Sequence, residues 1–332
     1  MGIESVIELD GLKVGFPNTN GGWSDVVDGV SLTVGEGERI GLVGESGSGK
    51  TLTALACLAL APDPGRWTGG SVKVNGVDLS GMSEAQLQRL RGSEIGLLLQ
   101  DAAEALNPVF TIGFQLVETI RAHRGLGPEE ANQEAIGLLH EAALGAPSEI
   151  MGAYPHELSG GQAQRVMLAL SLAGRPKILI ADEPTSALDS LTQAQVIDLL
   201  NRRVRDRRMG LLLISHDLAV VERVVDRVVV FFAGRVVEEG ATNELFSAPL
   251  HPYTQQLLAS IPGRRRKTRT DAVRAPETED SDNWQGCRYA MRCQIAQDTC
   301  RENEPDLTDL GGGREVRCPL AQAGRPVNHV DG

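Results

Sequence analysis

Hydrophobic and polar positions alternate in several short segments of the N-terminal part of the chain. The alternation runs over residues 5–9, 12–16, 30–34 and 71–74, and Asn75-Gly76 follows the last of them. A period of two is typical of strands that bury one face, and Asn-Gly is a strong signal for a tight hairpin turn. These segments therefore predict an antiparallel β-layer.

Continuously apolar segments make up a second class of predicted strands. They occupy residues 40–43, 95–99, 178–181 and 211–214. Such runs are typical of parallel strands buried on both faces, and each is followed by a loop and a helical pattern. We therefore expect an α/β protein with a mostly parallel core sheet. Segments 227–232 and 235–239, on either side of Gly234, predict a closing hairpin.

The hydrophobic period changes to that of a helix between residues 101 and 175. Apolar residues recur three and four positions apart in segments 129–143 and 161–172. We interpret residues from about 101 to 175 as a helical subdomain that is inserted into the α/β core.

The composition changes again after Pro262. A basic run at residues 264–267 is followed by the acidic and polar stretch 278–282, and then by a segment that carries four of the five cysteines. This pattern predicts a linker at about 263–283. The linker would separate a large domain of residues 1–262 from a Cys-rich C-terminal domain of residues 284–332.

Charge and hydropathy exclude several classes of protein. The 332 residues include 32 Lys and Arg against 44 Asp and Glu, a net charge of −12. This balance disfavours a protein that coats nucleic acid or lipid phosphate. The longest apolar run, residues 52–61, is about half a membrane span, and the first residues lack the pattern of a signal peptide. We expect a soluble protein of the cytoplasm.

Residues 44–51 have the sequence GESGSGKT, which fits the phosphate-binding P-loop pattern between a predicted strand and a predicted helix. Glycines let successive backbone N–H groups converge on phosphate oxygens, and a helix N-terminus adds its positive dipole end. Lys50 is expected to reach the β- and γ-phosphates of a nucleotide, and the Thr51 hydroxyl is expected to bind Mg²⁺.

Two carboxylates, Asp182 and Glu183, end the apolar strand at residues 178–181. Alone, such a pair is more typical of a solvated acidic turn. In a P-loop protein, an aspartate here supports Mg²⁺, and the following glutamate can orient and deprotonate the attacking water.

Three further polar positions are candidates for the same site. Gln100 and His216 each end a predicted strand, and Ser159 precedes Gly160-Gly161 at a predicted helix start. An exposed helix start can bind an anion, and one site of this kind could serve the nucleotide of a second chain arranged head-to-tail. Separately, each position is more typical of an ordinary loop residue or helix cap than of a functional residue.

Together these motifs resemble, in order and spacing, those of ABC ATPases, a P-loop NTPase family. The resemblance covers about residues 5–260 and includes LSGGQ at 158–162, ILIADE at 178–183 and SALD at 186–189. More narrowly, the chain resembles ATPase subunits of oligopeptide, dipeptide and nickel importers. HPYTQQLLASIPG at 251–263 and GCRYAMRC at 286–293 carry this closer resemblance.

The resemblance implies a role for each matched residue. The positions expected to line the phosphates are Gly44, Ser46, Gly47, Ser48, Gly49, Lys50 and Thr51. Asp182 is expected to support Mg²⁺, Glu183 to act as the base and His216 to contact the γ-phosphate. Gln100 would join Mg²⁺ and sense a membrane subunit.

Two parts of the nucleotide site are implied with less direct support from the sequence. Ser159 and Gly161 would serve the nucleotide that is bound mainly by a partner ATPase. An aromatic residue would stack on adenine, and both Phe16 and Trp23 are candidates for it. The insertion at residues 18–22 makes it ambiguous which of the two matches the family position, and we prefer Phe16.

The four C-terminal cysteines are Cys287, Cys293, Cys300 and Cys318, spaced C-x5-C-x6-C-x17-C. Structural zinc usually shows a C-x2-C pair, which is missing here, whereas [4Fe–4S] spacings vary more. Some members of the resembled family carry such a cluster at these cysteines, and we expect one here. Zinc and metal-free reduced thiols are the alternatives.

The resemblance implies an ATP- and Mg²⁺-dependent enzyme on the cytoplasmic face of the membrane that powers peptide import. Its expected partners are two membrane permeases, a second ABC ATPase and, indirectly, an extracytoplasmic substrate-binding protein, with no nucleic acid. Nickel or another small solute is an alternative cargo. A soluble ABC ATPase that takes no part in transport is a further alternative. The single cassette and the acidic net charge argue against this alternative.

Overall fold

Two β-sheets form the framework of the protein in this computed structural model, which describes residues 5–19, 21–100, 102–185, 188–261 and 285–322. The smaller sheet is antiparallel, with strands in the order β2-β1-β4-β5. These strands are β1 (Ser5–Pro17), β2 (Trp23–Gly35), β4 (Arg66–Val74) and β5 (Val77–Asp78). The predicted antiparallel layer and the hairpin at Asn75-Gly76 are confirmed.

The predicted strands at residues 5–9 and 12–16 form one continuous strand, β1. The chain stays paired with β2 on both sides of a register shift between Leu9 and Leu12. Gly11 lies in this shift at a φ of 55°. A bulge that contains a glycine lets the strand bend without ending, so the glycine does not separate two strands.

The larger sheet contains the strands that were predicted to be parallel. They lie in the order β6-β7-β8-β3, and β9, which was predicted only as part of the closing hairpin, pairs in parallel with β3. Their bounds are Arg39–Gly44 (β3), Ile95–Leu98 (β6), Ile178–Asp182 (β7), Gly210–Ile214 (β8) and Arg227–Phe232 (β9). Strand β10 (Arg235–Ala241) forms the predicted hairpin with β9.

The C-terminal segment, residues 285–322, extends the larger sheet. Its strand β12 (Glu315–Val316) pairs with β10, and β11 (Thr308–Asp309) pairs with β12. The sequence pattern did not predict this addition. The proposed linker at 263–283 and the basic run at 264–267 lie outside the described residues, so the domain limits at 262 and 284 stay a prediction.

Helices cover the larger sheet and connect its strands. Those between β6 and β7 are α3 (Ala102–Ala105), α4 (Ile112–Arg124), α5 (Pro128–Glu141), α6 (Pro147–Gly152) and α7 (Gly160–Leu172). The others are α1 (Lys50–Ala56), α2 (Glu84–Leu90), α8 (Ser190–Asp206), α9 (Leu218–Val224), α10 (Thr242–Ser247), α11 (Pro252–Ala259), α12 (Asp298–Glu302) and α13 (Pro319–Gln322). The helices predicted at 129–143 and 161–172 correspond to α5 and α7, while their grouping as a subdomain over 101–175 stays a prediction.

Strand β7 shows how the larger sheet separates two hydrophobic cores. Leu179 and Ala181 point into the core that contains helices α4, α5 and α7. Ile178 and Ile180 point into the core shared with the antiparallel sheet. Because side chains alternate between the faces of a strand, a strand buried on both faces must be apolar throughout.

The helices in the described ranges are all too short or too polar to cross a lipid bilayer.

Asp28 links strand β2 to three other parts of the fold. Its carboxylate pairs with Lys13 of β1 at 2.9 Å, with Arg235 of β10 at 2.6 Å, and with Arg288 of the C-terminal segment. Burial on its own raises the pKa of Asp28. Hydrogen bonding from Lys13 and the charges of Arg235 and Arg288 outweigh that effect and lower the pKa to about 2.

We predict that Asp28→Asn lowers the free energy of unfolding at pH 7 by about 2 kcal/mol, because the folded state favours the ionised carboxylate. A lowered pKa stabilises the folded state above the unfolded-state pKa of roughly 4, and this contribution disappears as the pH falls through about 2. Urea unfolding at a series of pH values measures the difference between variant and wild type. The control Asp298→Asn, an exposed residue in a helical i,i+3 pair, should change stability by less than about 0.5 kcal/mol.

Candidate functional site

The loop between β3 and α1 has a backbone that only glycine can adopt at its first position. Gly44 has a φ of 149°, and a Cβ there would lie 2.2 Å from the carbonyl oxygen of Phe231. Gly47 and Gly49 also have positive φ angles, of 77° and 100°. The glycine pattern in the sequence therefore reflects a tight loop packed against the end of β9.

Lys50 lies beneath this loop with its ammonium group largely buried. Its Nζ donates to the carbonyl oxygens of Gly44 at 2.9 Å and Glu45 at 2.7 Å, and to Ser48 Oγ at 3.2 Å. Burial lowers the pKa of Lys50, and the carboxylates of Glu183 and Asp182 oppose that shift. Lys50 is therefore bonded to the loop that it supports, and Ser46 and Gly47 of that loop are exposed.

Asp182 ends β7 next to the start of α1, where its carboxylate lies close to the side chain of Thr51. Asp182 is buried, and no hydrogen-bond donor among the described residues reaches its Oδ1 atom. Burial raises the pKa of Asp182, and the nearby Thr51 side chain offsets part of that rise in pKa. An unpartnered carboxylate oxygen beside a hydroxyl fits the oxygen ligands that Mg²⁺ prefers, so these two residues fit the predicted metal site.

Glu183 and His216 form a close pair at the ends of two neighbouring strands. The distance between His216 Nδ1 and Glu183 Oε2 is 2.5 Å. The backbone of Glu183 has a φ of 49°, and its N–H donates to the Ile214 carbonyl at 2.9 Å. A left-handed glutamate is uncommon, and here it directs the residue after β7 toward the end of β8.

Gln100 follows β6 at the same edge of the sheet. Leu98 of β6 pairs with Ala181 of β7, so Gln100 lies level with Glu183 along the parallel strands, and it is exposed. Residues from the carboxyl ends of β6, β7 and β8 thus lie beside the loop that follows β3. Ligands of open α/β sheets bind at this edge.

Ser159 and Gly161 occupy a different place, at the start of α7. Ser159 Oγ accepts from the Gln162 N–H at 3.3 Å, and Gln162 Oε1 accepts from the Ser159 N–H at 2.9 Å, which is a capping box. A Cβ on Gly161 would lie 2.8 Å from Thr192 Cγ2 of α8. Within the residues that the structure describes, no hydrogen bond joins Ser159 or Gly161 to the loop at 44–51.

The SALD motif lies close to this helix start, but only half of it can be placed. Ser186 and Ala187 lie outside the described residues. Asp189 caps α8 and accepts from the N–H groups of Leu191 and Thr192, both at 3.1 Å.

Phe16 and Trp23 both lie at the end of the β1–β2 hairpin. The half-buried Phe16 ring packs against Gly65, where a Cβ would come within 2.7 Å of it. Trp23 is exposed, and the Arg66 guanidinium lies 3.8 Å from the centre of its ring. The choice of Phe16 as the adenine-stacking residue stays a prediction.

The four C-terminal cysteines are all free thiols. Cys300 and Cys318 are buried, Cys287 and Cys293 are half-buried, and burial raises the pKa of Cys287 to about 12. No group of three or more His, Cys, Asp or Glu residues in the described part of the chain could hold a metal ion. The predicted [4Fe–4S] cluster at Cys287, Cys293, Cys300 and Cys318 is therefore not supported, and the same holds for the zinc alternative.

Three residues around the P-loop were not predicted from the sequence. The Glu45 N–H donates to the Tyr253 hydroxyl at 2.8 Å, and the Glu45 carboxylate accepts two hydrogen bonds from Arg292, of 2.8 and 2.6 Å. Tyr253 and Arg292 belong to the HPY and YAMRC segments, which were noted only as marks of resemblance. The only sequence signal that could have revealed these contacts was the presence of a tyrosine and an arginine in motifs to which no role had been assigned.

Known proteins resemble this chain in sequence. Residues 27–186 match the family described as ABC transporter, and residues 237–300 match the oligopeptide/dipeptide transporter C-terminal region. A putative peptide import ATP-binding protein of Brucella melitensis is 46% identical over 95% of this chain and 94% of its own length. The dipeptide transport ATP-binding protein of Escherichia coli is 42% identical over 97% of this chain and 99% of its own length.

Solved structures resemble the fold. A dimeric ATP-binding cassette in a post-hydrolysis state, bound to ADP and phosphate, superposes with a TM-score of 0.64 at 27% identity. The match covers 71% of this chain and 98% of the cassette. Because full-length relatives are more than 40% identical and the nucleotide motifs meet at one edge of the sheet, the chain belongs to the ATP-binding subunits of ABC transporters, in the oligopeptide/dipeptide branch, and is an ATPase.

Proposed function

We propose that this ATPase powers the import of peptides through a membrane permease, from the cytoplasmic face of the membrane. The observation that carries the proposal is the convergence at one sheet edge of the P-loop lysine, the Thr51–Asp182 pair and the Glu183–His216 pair. The names of the relatives support peptides as the cargo.

Binding of ATP requires Lys50 to change partners. Its ammonium group now donates to two carbonyl oxygens of the loop. The phosphates would replace those carbonyls, while the N–H groups of residues 44–51 turn toward the phosphate oxygens. Thr51, Asp182 and Gln100 would hold Mg²⁺, which supplies charge neutralisation at the phosphates when bound.

Glu183 would act as the general base. A water oxygen attacks the γ-phosphorus, its proton moves to the Glu183 carboxylate, and the bond to the β–γ bridging oxygen breaks with its electron pair leaving on ADP. His216 holds Glu183 Oε2 at 2.5 Å and so fixes the orientation of the base. His216 is exposed enough to contact the γ-phosphate as well.

A second ATPase would complete each nucleotide site. Ser159 and Gly161 present an exposed helix start with no hydrogen bond to this chain's own P-loop. In a head-to-tail pair they would meet the γ-phosphate bound by the partner, with Phe16 on the adenine of this chain's own nucleotide. The dimeric arrangement of the solved cassette supports this proposal.

An exposed apolar surface on the helical segment between β6 and β7 would provide a place for the permease. Phe110 and Phe114 stack at 4.6 Å between ring centres and are both exposed, and neighbouring Val109 is 73% exposed. A contiguous apolar patch on an otherwise acidic protein is typical of an interaction site. The permease would dock there and receive the movement of Gln100 and the α3–α7 helices during the ATP cycle.

We predict that Glu183→Gln reduces ATP turnover by at least about 100-fold while ATP binding is retained, since the amide cannot accept the proton. Lys50→Ala should abolish binding. Phosphate release and fluorescent-nucleotide binding measure the two effects, with the exposed Glu149→Gln as the charge-matched control. Full activity of Glu183→Gln would contradict the role of the base.

We also predict that Phe110→Ser with Phe114→Ser reduces recovery of the permeases with tagged protein by about tenfold. Nucleotide binding by the isolated chain should stay unchanged. The control Val77→Ser removes an equally exposed apolar residue from the antiparallel sheet and should leave recovery unaffected. If the wild type, the double phenylalanine variant and Val77→Ser recover equal amounts of permease, the permease docks at another surface.

The cargo is tested on the intact complex with its permeases, second ATPase and external binding protein. We expect peptides to stimulate ATP hydrolysis and Ni²⁺ to have no effect. Stimulation by Ni²⁺ alone would identify a nickel importer. Recovery of ribosomes or DNA in place of permeases would contradict the transport role.

A further inference from the structure

The C-terminal segment contacts the nucleotide loop directly. Arg292 ends a turn at residues 288–292 of this segment, and its guanidinium meets the carboxylate of Glu45, the second residue of the P-loop. Nη1 lies 2.8 Å from Oε2, and Nη2 lies 2.6 Å from Oε1. This two-pronged geometry is the strongest form of arginine–carboxylate pairing, because both planar groups are fixed relative to each other.

Aromatic packing holds Arg292 in place. Its guanidinium lies 5.4 Å from the ring centre of Phe232 and 5.7 Å from that of Tyr289, within cation–π range. Tyr289 is buried and packs on Phe232 and Tyr253 at ring distances of 5.2 and 5.6 Å. The position of Arg292 therefore depends on how the C-terminal segment docks on β9 and α11.

Glu45 is held by its backbone as well as by its side chain. Its N–H donates to the hydroxyl of the fully buried Tyr253 at 2.8 Å, and its carbonyl accepts from Lys50 at 2.7 Å. Together with Arg292, three groups from separate parts of the chain fix one loop residue. Its neighbours Ser46 and Gly47 lie on the exposed side of the loop.

The charge on Glu45 opposes the function of the loop. Hydrogen bonding from Arg292, followed by the charges of Arg292 and Lys50, lowers the pKa of Glu45, so the side chain is a carboxylate at neutral pH. A carboxylate beside a triphosphate site repels the ligand unless a cation neutralises it. Arg292 supplies that cation and directs the carboxylate toward the C-terminal segment.

We propose that Arg292 is a positioning residue for ATP binding, which neutralises Glu45 and orients it away from the phosphates. The affinity of the P-loop for ATP then depends on the docking of the C-terminal segment. This inference rests on the proposed nucleotide site, and it concerns a residue that contacts the loop and not the nucleotide. It gives the C-terminal segment a role in the ATP cycle.

A charge-based double-mutant cycle on the full-length chain tests the proposal. Arg292→Gln should weaken binding of a fluorescent ATP analogue about fivefold to tenfold, because Glu45 keeps its charge and loses its partner. It should raise the KM for ATP by a similar factor and change kcat by less than about twofold. Adding Glu45→Gln to Arg292→Gln should restore most of the affinity, since the repelling charge is gone.

Two further variants separate charge from folding. Arg292→Lys should fall between wild type and Arg292→Gln, because one ammonium keeps the charge and loses the two-pronged geometry. Arg301→Gln removes another arginine of the C-terminal segment, one that pairs with Asp298 on the surface, and should leave ATP binding unchanged. Thermal unfolding of each variant verifies that the fold is retained. If Arg292→Gln does not fold, Arg292→Lys takes its place, and adding Glu45→Gln to Arg292→Lys should restore the affinity that Arg292→Lys loses.

The outcomes are distinct. Wild-type affinity in Arg292→Gln, or a double variant that binds as weakly as Arg292→Gln, would overturn the inference. If the wild type binds the ATP analogue and Lys50→Ala does not, the nucleotide site is confirmed whatever the result with Arg292→Gln. Retained binding in Lys50→Ala would count against the proposed function itself.

Discussion

The parallel pairing of β3 with β8 and β9 is the constraint on which the functional site depends. Hydrogen bonds between these buried strands fix their relative register, so that the residues after each strand emerge at one edge of the sheet. The glycine loop, the Asp182–Glu183 pair and His216 therefore meet although about 170 residues separate the first from the last. At Gly44 this register leaves no space for a side chain, since β9 presents its Phe231 carbonyl directly to the loop.

The sequence was sufficient to predict the elements whose signal is local. Apolar runs identified the parallel strands, because burial on both faces requires every position to be hydrophobic. The P-loop was identified because its glycines lie close together in the sequence. The two carboxylates at the end of β7 were identified because they directly follow an apolar run. Glu45 and Arg292 form an ion pair although they are 247 positions apart in the sequence. No periodic pattern or motif spacing links two residues at that separation, so the sequence could not indicate the pair. The pairing of β12 with β10 involves two residues on the β12 side, too few to produce a recognisable alternation.

The C-terminal segment illustrates why the cysteine prediction was not supported. A short segment with few apolar residues has difficulty forming a core of its own, and a bound metal is one way to hold such a segment together. Instead, Tyr289 enters the main hydrophobic core, and Cys287 and Cys293 pack against that core as apolar groups. Arg288 and Arg314 anchor the segment on Asp28 and on the fully buried Glu238. The segment therefore packs on the main hydrophobic core, in addition to a small cluster that includes its own Val316, Cys318 and Ala321.

The hydrogen bonds of Lys50 have a consequence for ligand selection. Its ammonium group has three acceptors within the loop, so its charge is partly compensated by the chain itself. A ligand binds only if it provides acceptors that are better than two backbone carbonyls at the same place. A chain of two or three phosphates extends far enough and carries enough charge to do so, whereas a single phosphate on a nucleoside exchanges one weak set of bonds for another. We therefore expect the loop to bind nucleotides with two or three phosphates more tightly than nucleoside monophosphates.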